Sequence, residues 1–325
     1  MNARILVTGA AGYIGSVLVR ILLENGYMVR ALDNLNFGGE SLIPVYNHPE
    51  FEFVKGDVRD ARRLETALID VDAVVHLAAI VGDPACAKQP ELAREINWEA
   101  SRVLFDLASA AAGVERFIFA STCSNYGKME GDGFVNEDSP LTPVSLYAKL
   151  KVEFEQYLMG SDISETFVPT ALRFSTVYGL SPRTRFDLTV NEFARDVALG
   201  RELEIFGEQF WRPYCHVDDL ARACIFTLKG EAAKVRQNVF GVGDTDENYQ
   251  KKMLAEELWK IDPDAKIRFV HKDEDPRDYR VDFSKIREQL GFNITKRVPN
   301  GLREIYDVVS EGIISDPDAD IYRNT

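Results

Sequence analysis

Cysteine and histidine are both scarce in this chain. Its 325 residues include four cysteines and four histidines. The cysteines (Cys86, Cys123, Cys215 and Cys224) show no Cys-x-x-Cys spacing and no pairing with histidine. The pattern of a disulfide framework or of a cysteine-based metal site is therefore missing, and we expect no metal. Unpaired cysteines of this kind suit a reducing compartment.

Positive charge is also in short supply. Lysine and arginine together number 38, against 52 aspartates and glutamates, which gives a formal net charge of −14. Such an excess of negative charge disfavours nucleic acid or an anionic membrane as the main partner. A few arginines gathered locally can still form a pocket for a small anionic ligand.

Long apolar runs are missing as well. No stretch reaches the roughly eighteen apolar residues that a membrane-spanning helix needs. Residues 1–4 lead directly into a predicted strand rather than into a signal peptide. We therefore expect no membrane partner and a cytoplasmic location.

The most informative stretch lies near the start of the chain. The apolar run 5–8 is followed by Gly9, Gly12 and Gly15, three residues apart, and then by a helix-like segment, 16–23. This pattern predicts a strand, a tight turn and a helix N-terminus, where free N–H groups and close backbone approach suit a pyrophosphate. Glycines needed only for packing would give the same spacing, so further residues must decide.

An acidic residue ends the predicted second strand, 29–34. Asp33 follows the last of the three glycines by eighteen residues. A carboxylate at this place accepts hydrogen bonds from both hydroxyls of an adenosine ribose and repels a 2′-phosphate, which favours NAD over NADP. Arg30 lies inside the strand and is poorly placed to bind that phosphate.

Strand and helix patterns alternate up to about residue 175. A third strand, 51–56, ends in Asp57 and Val58, which we expect beside the adenine ring. The alternation predicts an α/β fold, a doubly wound parallel sheet with helices on both faces. The later predicted elements are a helix at about 61–69, a strand at 72–79, a helix at about 90–112, a strand at 116–120, a helix at about 145–159, a strand at 167–173, and helices near 188–199, 217–228, 248–259 and 301–311.

Tyr147 and Lys151 stand four residues apart in a predicted helix and therefore share one of its faces. Thr122 ends a predicted central strand, at the edge of a parallel sheet where ligands bind. An ammonium group and a bound nicotinamide cation would lower the tyrosine pKa, so that Tyr147 takes a proton from a sugar hydroxyl while hydride leaves the same carbon. Chance and helix capping also produce such residues, but their combination with Asp33 and the glycine turn favours catalysis.

Several of these motifs together resemble the extended short-chain dehydrogenase/reductases, and more narrowly the NAD-dependent nucleotide-sugar epimerase/dehydratase family. The resemblance covers nearly the whole chain. It implies a Rossmann domain that binds NAD, a smaller mixed α/β C-terminal domain that binds a nucleoside diphosphate sugar, and a homodimer formed by two long helices. The segments that carry it are 8–15, 77–79, 173–179 and 212–221, with Thr122, Tyr147 and Lys151.

The resemblance also implies domain limits and site residues. The Rossmann domain is expected at 1–174 with a returning segment at about 212–242, and the substrate domain at 175–211 and 243–325. The catalytic residues are Thr122, Tyr147 and Lys151. The residues expected to bind NAD are Gly9, Gly12, Tyr13, Ile14, Gly15, Asp33, Asn34, Asp57, Val58, Leu77, Ala78, Ala79, Tyr147 and Lys151. Those expected to bind substrate are Ser124, Asn125, Thr176, Arg185, Arg212 and Arg277.

Some polar residues have a simpler interpretation. Each of the three arginines is alternatively a solvated surface residue. His76 on a central strand is interpreted as a hydrogen-bonded core residue and His216 as the cap of the following helix. The acid-rich segment 244–247 is interpreted as a solvated helix start rather than a metal site.

The two positions after Thr122 bear on the reaction. The 4,6-dehydratases of the family carry an Asp-Glu pair there, whereas this chain has Cys123 and Ser124, and neither easily protonates a departing C6 hydroxyl. We therefore predict a 4-epimerase that removes hydride from C4 of a nucleoside diphosphate hexose and returns it to the other face of a 4-keto intermediate.

Two alternatives remain open at this point. A 4-dehydrogenase or a 4-ketosugar reductase needs the same catalytic residues, and segment 181–191 resembles a branch of the family that includes 4-dehydrogenases. Asp33 argues against the reductase, because reductases usually draw on NADPH. An alternative from another class is a regulatory protein that binds NAD(P) without catalysis, and such proteins usually lack the tyrosine or the lysine.

Overall fold

Strands and helices alternate along the chain as the sequence pattern predicts. The computed structural model describes residues 3–129, 131–275 and 277–324. The strands are β1 (Arg4–Thr8), β2 (Met28–Asp33), β3 (Phe51–Lys55), β4 (Ala73–His76), β5 (Arg116–Thr122), β6 (Val168–Phe174), β7 (Thr176–Tyr178), β8 (Leu203–Phe206), β9 (Trp211–His216), β10 (Asn238–Val242), β11 (Asn248–Gln250) and β12 (Ile267–Val270). The α-helices are α1 (Tyr13–Glu24), α2 (Ala61–Ala67), α3 (Asp83–Lys88), α4 (Pro90–Arg94), α5 (Ser101–Ala110), α6 (Leu146–Gly160), α7 (Thr189–Ala198), α8 (Val217–Lys229), α9 (Ala232–Val235), α10 (Lys251–Ile261), α11 (Ser284–Leu290) and α12 (Val298–Ser310).

Seven of the strands form one parallel sheet in the order β10-β6-β5-β4-β1-β2-β3. The chain starts near the middle at β1, winds out to β3, and then crosses to β4 and winds the other way to β10. Because parallel strands end at the same edge of a sheet, Thr8, Asp33 and Thr122 lie along one edge. This confirms the predicted doubly wound Rossmann sheet.

Apolar side chains cover both faces of this sheet. On one face α1 and α8 pack together, with Leu18 and Leu220 fully buried. On the other face α2, α5 and α6 enclose a cluster of aromatic rings that includes Phe105, Phe117 and Phe154. The rings of Phe105 and Phe117 meet edge to face at 5.3 Å between centroids. The sheet is therefore buried on both sides, as its apolar strands require.

The predicted helix at about 90–112 contains an interruption. A π-helical turn, Glu95–Ala100, joins α4 to α5. Within it, the buried Asn97 side chain accepts a hydrogen bond from the backbone N–H of Ile80 and donates one to its carbonyl, both at 2.8 Å. The turn thus anchors the loop after β4, at the same edge of the sheet as Thr122.

Two predictions for the segment around residue 248 are wrong. The helix expected at 248–259 begins at Lys251, because the three residues before it form β11, which pairs antiparallel with β9. The acid-rich segment is also not fully solvated. Glu247 is 1% exposed and accepts a hydrogen bond from Arg297 at 2.9 Å, so its negative charge is met by a cation far along the chain.

The C-terminal part contains two small sheets, β11-β9-β7 and β12-β8. Around them α7, α10 and α12 enclose a separate apolar cluster that includes Tyr178, Tyr214 and Leu302. The chain crosses between the two parts several times, since β9 leads directly into α8 and β10 lies at the edge of the large sheet. The division into domains at the residues named above stays a prediction.

Two searches of the described residues gave no hit. None of the helices there has both the length and the apolar character needed to cross a membrane. No group of three or more histidine, cysteine, aspartate or glutamate side chains is placed there to hold a metal ion.

A buried carboxylate fastens the C-terminal part to α8. Asp219 is 0% exposed and accepts hydrogen bonds from the side chains of Arg222 and Thr295 and from the backbone N–H groups of Thr295 and Lys296, at 2.6–3.0 Å. Next to it, Asp218 is partly exposed and pairs with Lys296 and Arg20. The two adjacent acids therefore differ mainly in burial.

We expect Asp219→Ala to lower the free energy of unfolding by about 3–5 kcal/mol, because it leaves buried donors without an acceptor. The matched variant Asp218→Ala removes a partly exposed ion pair and should cost less than about 1 kcal/mol. Urea unfolding followed by circular dichroism measures both values. Equal losses for the two variants would contradict the role assigned to burial.

Candidate active site

The glycine turn after β1 is built for close contact. Gly9 has φ +70°, and a Cβ atom there would lie 2.8 Å from the backbone nitrogen of Ala78. A Cβ atom on Gly15 would lie 2.0 Å from the carbonyl oxygen of Gly9. Gly12 precedes α1 and offers no side-chain cap. The first N–H groups of α1 are therefore left for an anion such as a pyrophosphate.

Asp33 lies at the end of β2, beside this turn. Its half-buried carboxylate accepts hydrogen bonds from the backbone N–H groups of Ala11 at 3.0 Å and Leu35 at 2.8 Å. Burial raises the pKa of Asp33, and these two hydrogen bonds oppose that rise. The exposed Asn34 donates to Asp57 at 3.2 Å, which brings the ends of β2 and β3 together as a nucleotide site requires.

Arg30 is fully engaged elsewhere. Its guanidinium donates to Glu52 at 2.8 Å and to the carbonyl oxygen of Ala67 at 2.9 Å, and the residue is 8% exposed. Arg30 thus does not neutralise charge next to Asp33, which agrees with the preference for NAD inferred from the sequence.

The other residues expected to bind NAD surround the same edge. Asp57 follows β3, and a hydrogen bond from Arg59 lowers its pKa to about 2. Val58 beside it is buried. The half-buried residues Leu77, Ala78 and Ala79 follow β4, and Ile14 is half-buried in the first turn of α1.

Tyr13 has a role that the sequence did not show. Its hydroxyl donates to the carbonyl oxygen of Gly179 at 2.5 Å and accepts from the side chain of Asn191 at 3.1 Å. Burial is the main cause that raises the pKa of Tyr13. The side chain therefore ties the glycine turn to the segment after β7, while its backbone N–H stays at the start of α1.

The three predicted catalytic residues meet at the end of β5. Thr122 is the last residue of β5, and α6 carries Tyr147 and Lys151 on one face. The Lys151 Nζ atom donates to the carbonyl oxygen of Ala120 at 2.7 Å and lies 5.9 Å from the centre of the Tyr147 ring. Ser145 caps α6 by accepting from the N–H of Ala148 at 3.2 Å, which fixes where the helix begins.

Burial dominates the electrostatics of this set. It raises the pKa of Tyr147, and it outweighs the positive charge of Arg185 and a hydrogen bond with Thr122, which both act to lower that pKa. Burial also lowers the pKa of Lys151 to about 7. Desolvation in the cleft therefore opposes charge on both groups, and the acidic tyrosine expected beside Lys151 and a bound nicotinamide cation stays a prediction.

The residues after Thr122 form a 3₁₀ turn with different surroundings. Cys123 is 1% exposed and its thiol donates to the carbonyl oxygen of Arg173 at 3.3 Å. Ser124 is half-buried and lies close to Tyr279. Asn125, expected to contact substrate, is 0% exposed, and its amide donates to Ser121 at 3.0 Å. The Asn125 amide thus faces the interior behind the cleft.

Each of the three arginines expected to bind substrate is paired with an aspartate. Arg185 donates to Asp187 at 2.6 and 2.9 Å and is 7% exposed. Its charge also reaches Tyr147, as the effect on the tyrosine pKa shows. Arg185 therefore lies at the cleft and not on the open surface.

The other two arginines contact each other, Arg212 from β9 and Arg277 from the segment after β12. Arg212 forms an ion pair with Asp275 at 2.7 Å and bonds to the carbonyl oxygen of Arg277. Arg277 in turn forms an ion pair with Asp83, at the start of α3, at 3.1 Å. Since α3 comes after β4 of the large sheet, this pair joins the C-terminal part to the segment that follows β4.

Thr176, His76 and His216 lie in three different parts of the structure. Thr176 begins β7 and is half-buried. Both ring nitrogens of His76 are hydrogen-bonded, to Thr8 and Ser101, and burial lowers its pKa to about 3. His216 accepts from the N–H of Asp218 and so caps α8. The interpretations of His76 and His216 are confirmed.

Two residues at the cleft were missed by sequence reasoning. Tyr279 is 2% exposed, lies close to Ser124, and has the Arg212 guanidinium 5.8 Å from its ring centre. Asp83 reaches both Arg277 and the neighbourhood of Tyr147. Neither stands in a recognisable motif, and only the position of Tyr279 two residues after Arg277 gave a signal.

Known proteins are similar to this chain in architecture and sequence. The model of the NAD-dependent epimerase/dehydratase family matches residues 5–243. A dTDP-glucose 4,6-dehydratase from Streptomyces griseus is 31% identical over 312 residues, which cover 93% of this chain and 92% of that protein.

Two solved structures superpose closely. They are a UDP-glucose 4-epimerase from Thermotoga maritima with UDP-glucose and a UDP-glucuronic acid 4-epimerase from Bacillus cereus with UDP-glucuronic acid and NAD. Each has a TM-score of 0.83 and 27% identity, and covers 95% of this chain and 99% of the other. The glycine turn, Asp33 and the Thr122, Tyr147 and Lys151 set fit the same cofactor. The chain belongs to the NAD-dependent epimerase/dehydratase family, whose enzymes act on nucleotide sugars.

Proposed function

We propose that the protein is an NAD-dependent 4-epimerase of a nucleoside diphosphate hexose. The observation that carries this proposal is the residue pair after Thr122. The Cys123 thiol is buried and donates to a backbone carbonyl, and burial raises its pKa. Ser124 has only a neutral hydroxyl. A 4,6-dehydratase must protonate a departing hydroxyl group, whereas an epimerase needs only removal and return of hydride at C4.

Tyr147 Oη is the atom assigned to move the proton. It takes the proton of the C4 hydroxyl as hydride leaves the same carbon, and it gives the proton back when hydride returns to the opposite face of the ketone. Thr122 hydrogen-bonds the same oxygen. When bound, NAD supplies the hydride acceptor and a positive charge, which favours the phenolate in a site where burial opposes it.

The arginines near the cleft suit the diphosphate of the substrate. Arg185, Arg212 and Arg277 are each held by an aspartate in this structure. A diphosphate that enters would exchange with some of these carboxylates, because arginine binds both groups in the same forked geometry. Ser124, Thr176 and the Tyr279 hydroxyl are assigned to the sugar side.

The same residues would serve a 4-dehydrogenase. Segment 181–191 favours this second candidate, since it resembles the dehydrogenase branch and places Arg185 near Tyr147. We further propose a homodimer through α4–α5 and α6 and a cytoplasmic location, on the resemblance and composition already described.

Tyr147→Phe tests the reaction. The wild type should convert one of the UDP-, GDP-, CDP- or dTDP-hexoses to its 4-epimer without added NAD. Tyr147→Phe should lower kcat by about 10²–10⁴-fold because the proton acceptor is lost, while mass spectrometry still finds NAD in the protein. Tyr306→Phe, on the outer part of α12, is the matched control and should keep wild-type turnover.

The reaction products distinguish the epimerase from the dehydrogenase. An epimer formed without net NADH supports the epimerase. A requirement for free NAD with NADH accumulation points to the dehydrogenase instead. Full turnover by Tyr147→Phe would overturn the catalytic assignment in either case.

The buried lysine predicts a pH dependence of stability. Because the pKa of Lys151 is lowered from 10.5 to about 7 in the fold, the unfolded chain binds more protons between these values. Stability should therefore rise with pH across this window, by about 1.4 kcal/mol per pH unit from this group. Lys151→Met should lack that rise, and Lys149→Met, exposed on the same helix, should keep it. Urea unfolding at pH 7, 8 and 9 measures the difference.

Asp33→Asn tests the cofactor preference. The substitution removes the charge that repels a 2′-phosphate and weakens the bonds to the ribose, so NAD affinity should fall by about 10- to 100-fold while NADP gains relative to NAD. Fluorescence titration of the cofactor-free protein measures both. Asp60→Asn keeps the cap of α2 and should change neither affinity; an unchanged NAD to NADP ratio for Asp33→Asn would refute the role of Asp33.

A further inference from the structure

A buried ion pair lies behind the catalytic residues and has no part in the chemistry described so far. Glu155 stands on α6, four residues after Lys151 and eight after Tyr147, so all three share one helix face. Glu155 is 3% exposed and Arg173, at the end of β6, is 4% exposed. The Arg173 guanidinium donates to Glu155 Oε1 at 2.5 and 3.2 Å.

The same carboxylate holds the end of β5. Ser121, next to Thr122, donates to Glu155 Oε2 at 2.7 Å, and the Asn125 amide donates to it at 3.4 Å. Arg173 extends the network by donating to the Tyr126 hydroxyl at 3.1 Å. One buried carboxylate thus joins α6, the end of β5 and the 3₁₀ turn that follows it.

The face of α6 that carries these three residues contacts the end of β5 at each of them. Along α6, Tyr147 lies close to Thr122, Lys151 donates to the carbonyl of Ala120, and Glu155 accepts from Ser121. Three helix residues spaced four apart therefore meet three consecutive residues of one strand. Of these three contacts, only the one at Glu155 includes an ion pair. We therefore treat it as the contact that fixes the position of α6 against β5.

We propose that Glu155 is a positioning residue for hydride transfer, which sets the distance between Tyr147 and Lys151 on α6 and Thr122 on β5 through Ser121 and Arg173. This inference rests on the proposed function for its kinetic readout. A small misplacement of reacting groups is costly in rate and leaves substrate binding largely intact.

A variant that removes only Glu155 or only Arg173 leaves a buried charge without a partner. Its loss of activity would then combine lost stability with lost positioning of the catalytic residues. The test is therefore the double variant Glu155→Met/Arg173→Met, which removes both charges and keeps apolar volume. Its melting temperature should stay near that of the wild type, whereas Glu155→Gln should melt lower. The double variant should lose kcat by about 100-fold with KM within about threefold of the wild type.

A matched control removes a buried carboxylate elsewhere. Like Glu155, Glu247 is buried, with 1% of its surface exposed, and it is paired with an arginine, Arg297, in the C-terminal part. Glu247→Gln should lower the melting temperature and leave kcat unchanged. Ser121→Ala, which removes a single hydroxyl, is the second test variant and should lower kcat by about tenfold.

Crystal structures of the wild type and the double variant give a readout that needs no turnover. The contact of Lys151 Nζ with the Ala120 carbonyl, 2.7 Å here, should lengthen beyond hydrogen-bond distance. Wild-type kcat in the double variant, or an unchanged Lys151–Ala120 contact, would overturn the proposal. If the wild type converts none of the sugars, the reaction assignment fails, and the crystal structures still decide the role of Glu155.

Discussion

The docking of α6 against β5 is the contact on which the rest of the active site depends. It buries an ammonium group, a carboxylate and part of a phenol between a helix and a strand, and each must find a polar partner there. Lys151 finds the carbonyl of Ala120, and Glu155 finds Ser121 and Arg173. Because these partners sit on neighbouring strands, the helix can take only one register on the sheet.

The same burial explains the charge state of the site. Desolvation raises the pKa of Tyr147 and lowers that of Lys151, so burial disfavours both the phenolate and the ammonium form. Nearby arginines are balanced by Asp83, Asp187 and Asp275. A strongly acidic chain can in this way present cations at a cleft, because the aspartates that hold them are exchangeable for another anion.

Local sequence patterns predicted a large part of the fold and of the cofactor edge of the sheet. Glycine spacing, the acid at Asp33 and the alternation of apolar segments depend only on neighbours in the chain, and the parallel sheet followed from them. The interruption of the long helix at Glu95–Ala100 and the burial of Glu247 did not follow. Asn97 and Glu247 are defined by partners far along the chain, Ile80 and Arg297, which no local pattern reveals.

The sequence by itself determined the fold class, the cofactor edge of the sheet and the identity of the residues placed there, because periodicity and turn chemistry act over a few residues. The tertiary structure alone decided that the Asn125 amide faces inward, that Tyr279 and Asp83 reach the cleft, and that burial outweighs the positive charge of Arg185 at Tyr147. Desolvation and ion pairing depend on distances between segments that are far apart in the chain, and those distances exist only once the chain has packed.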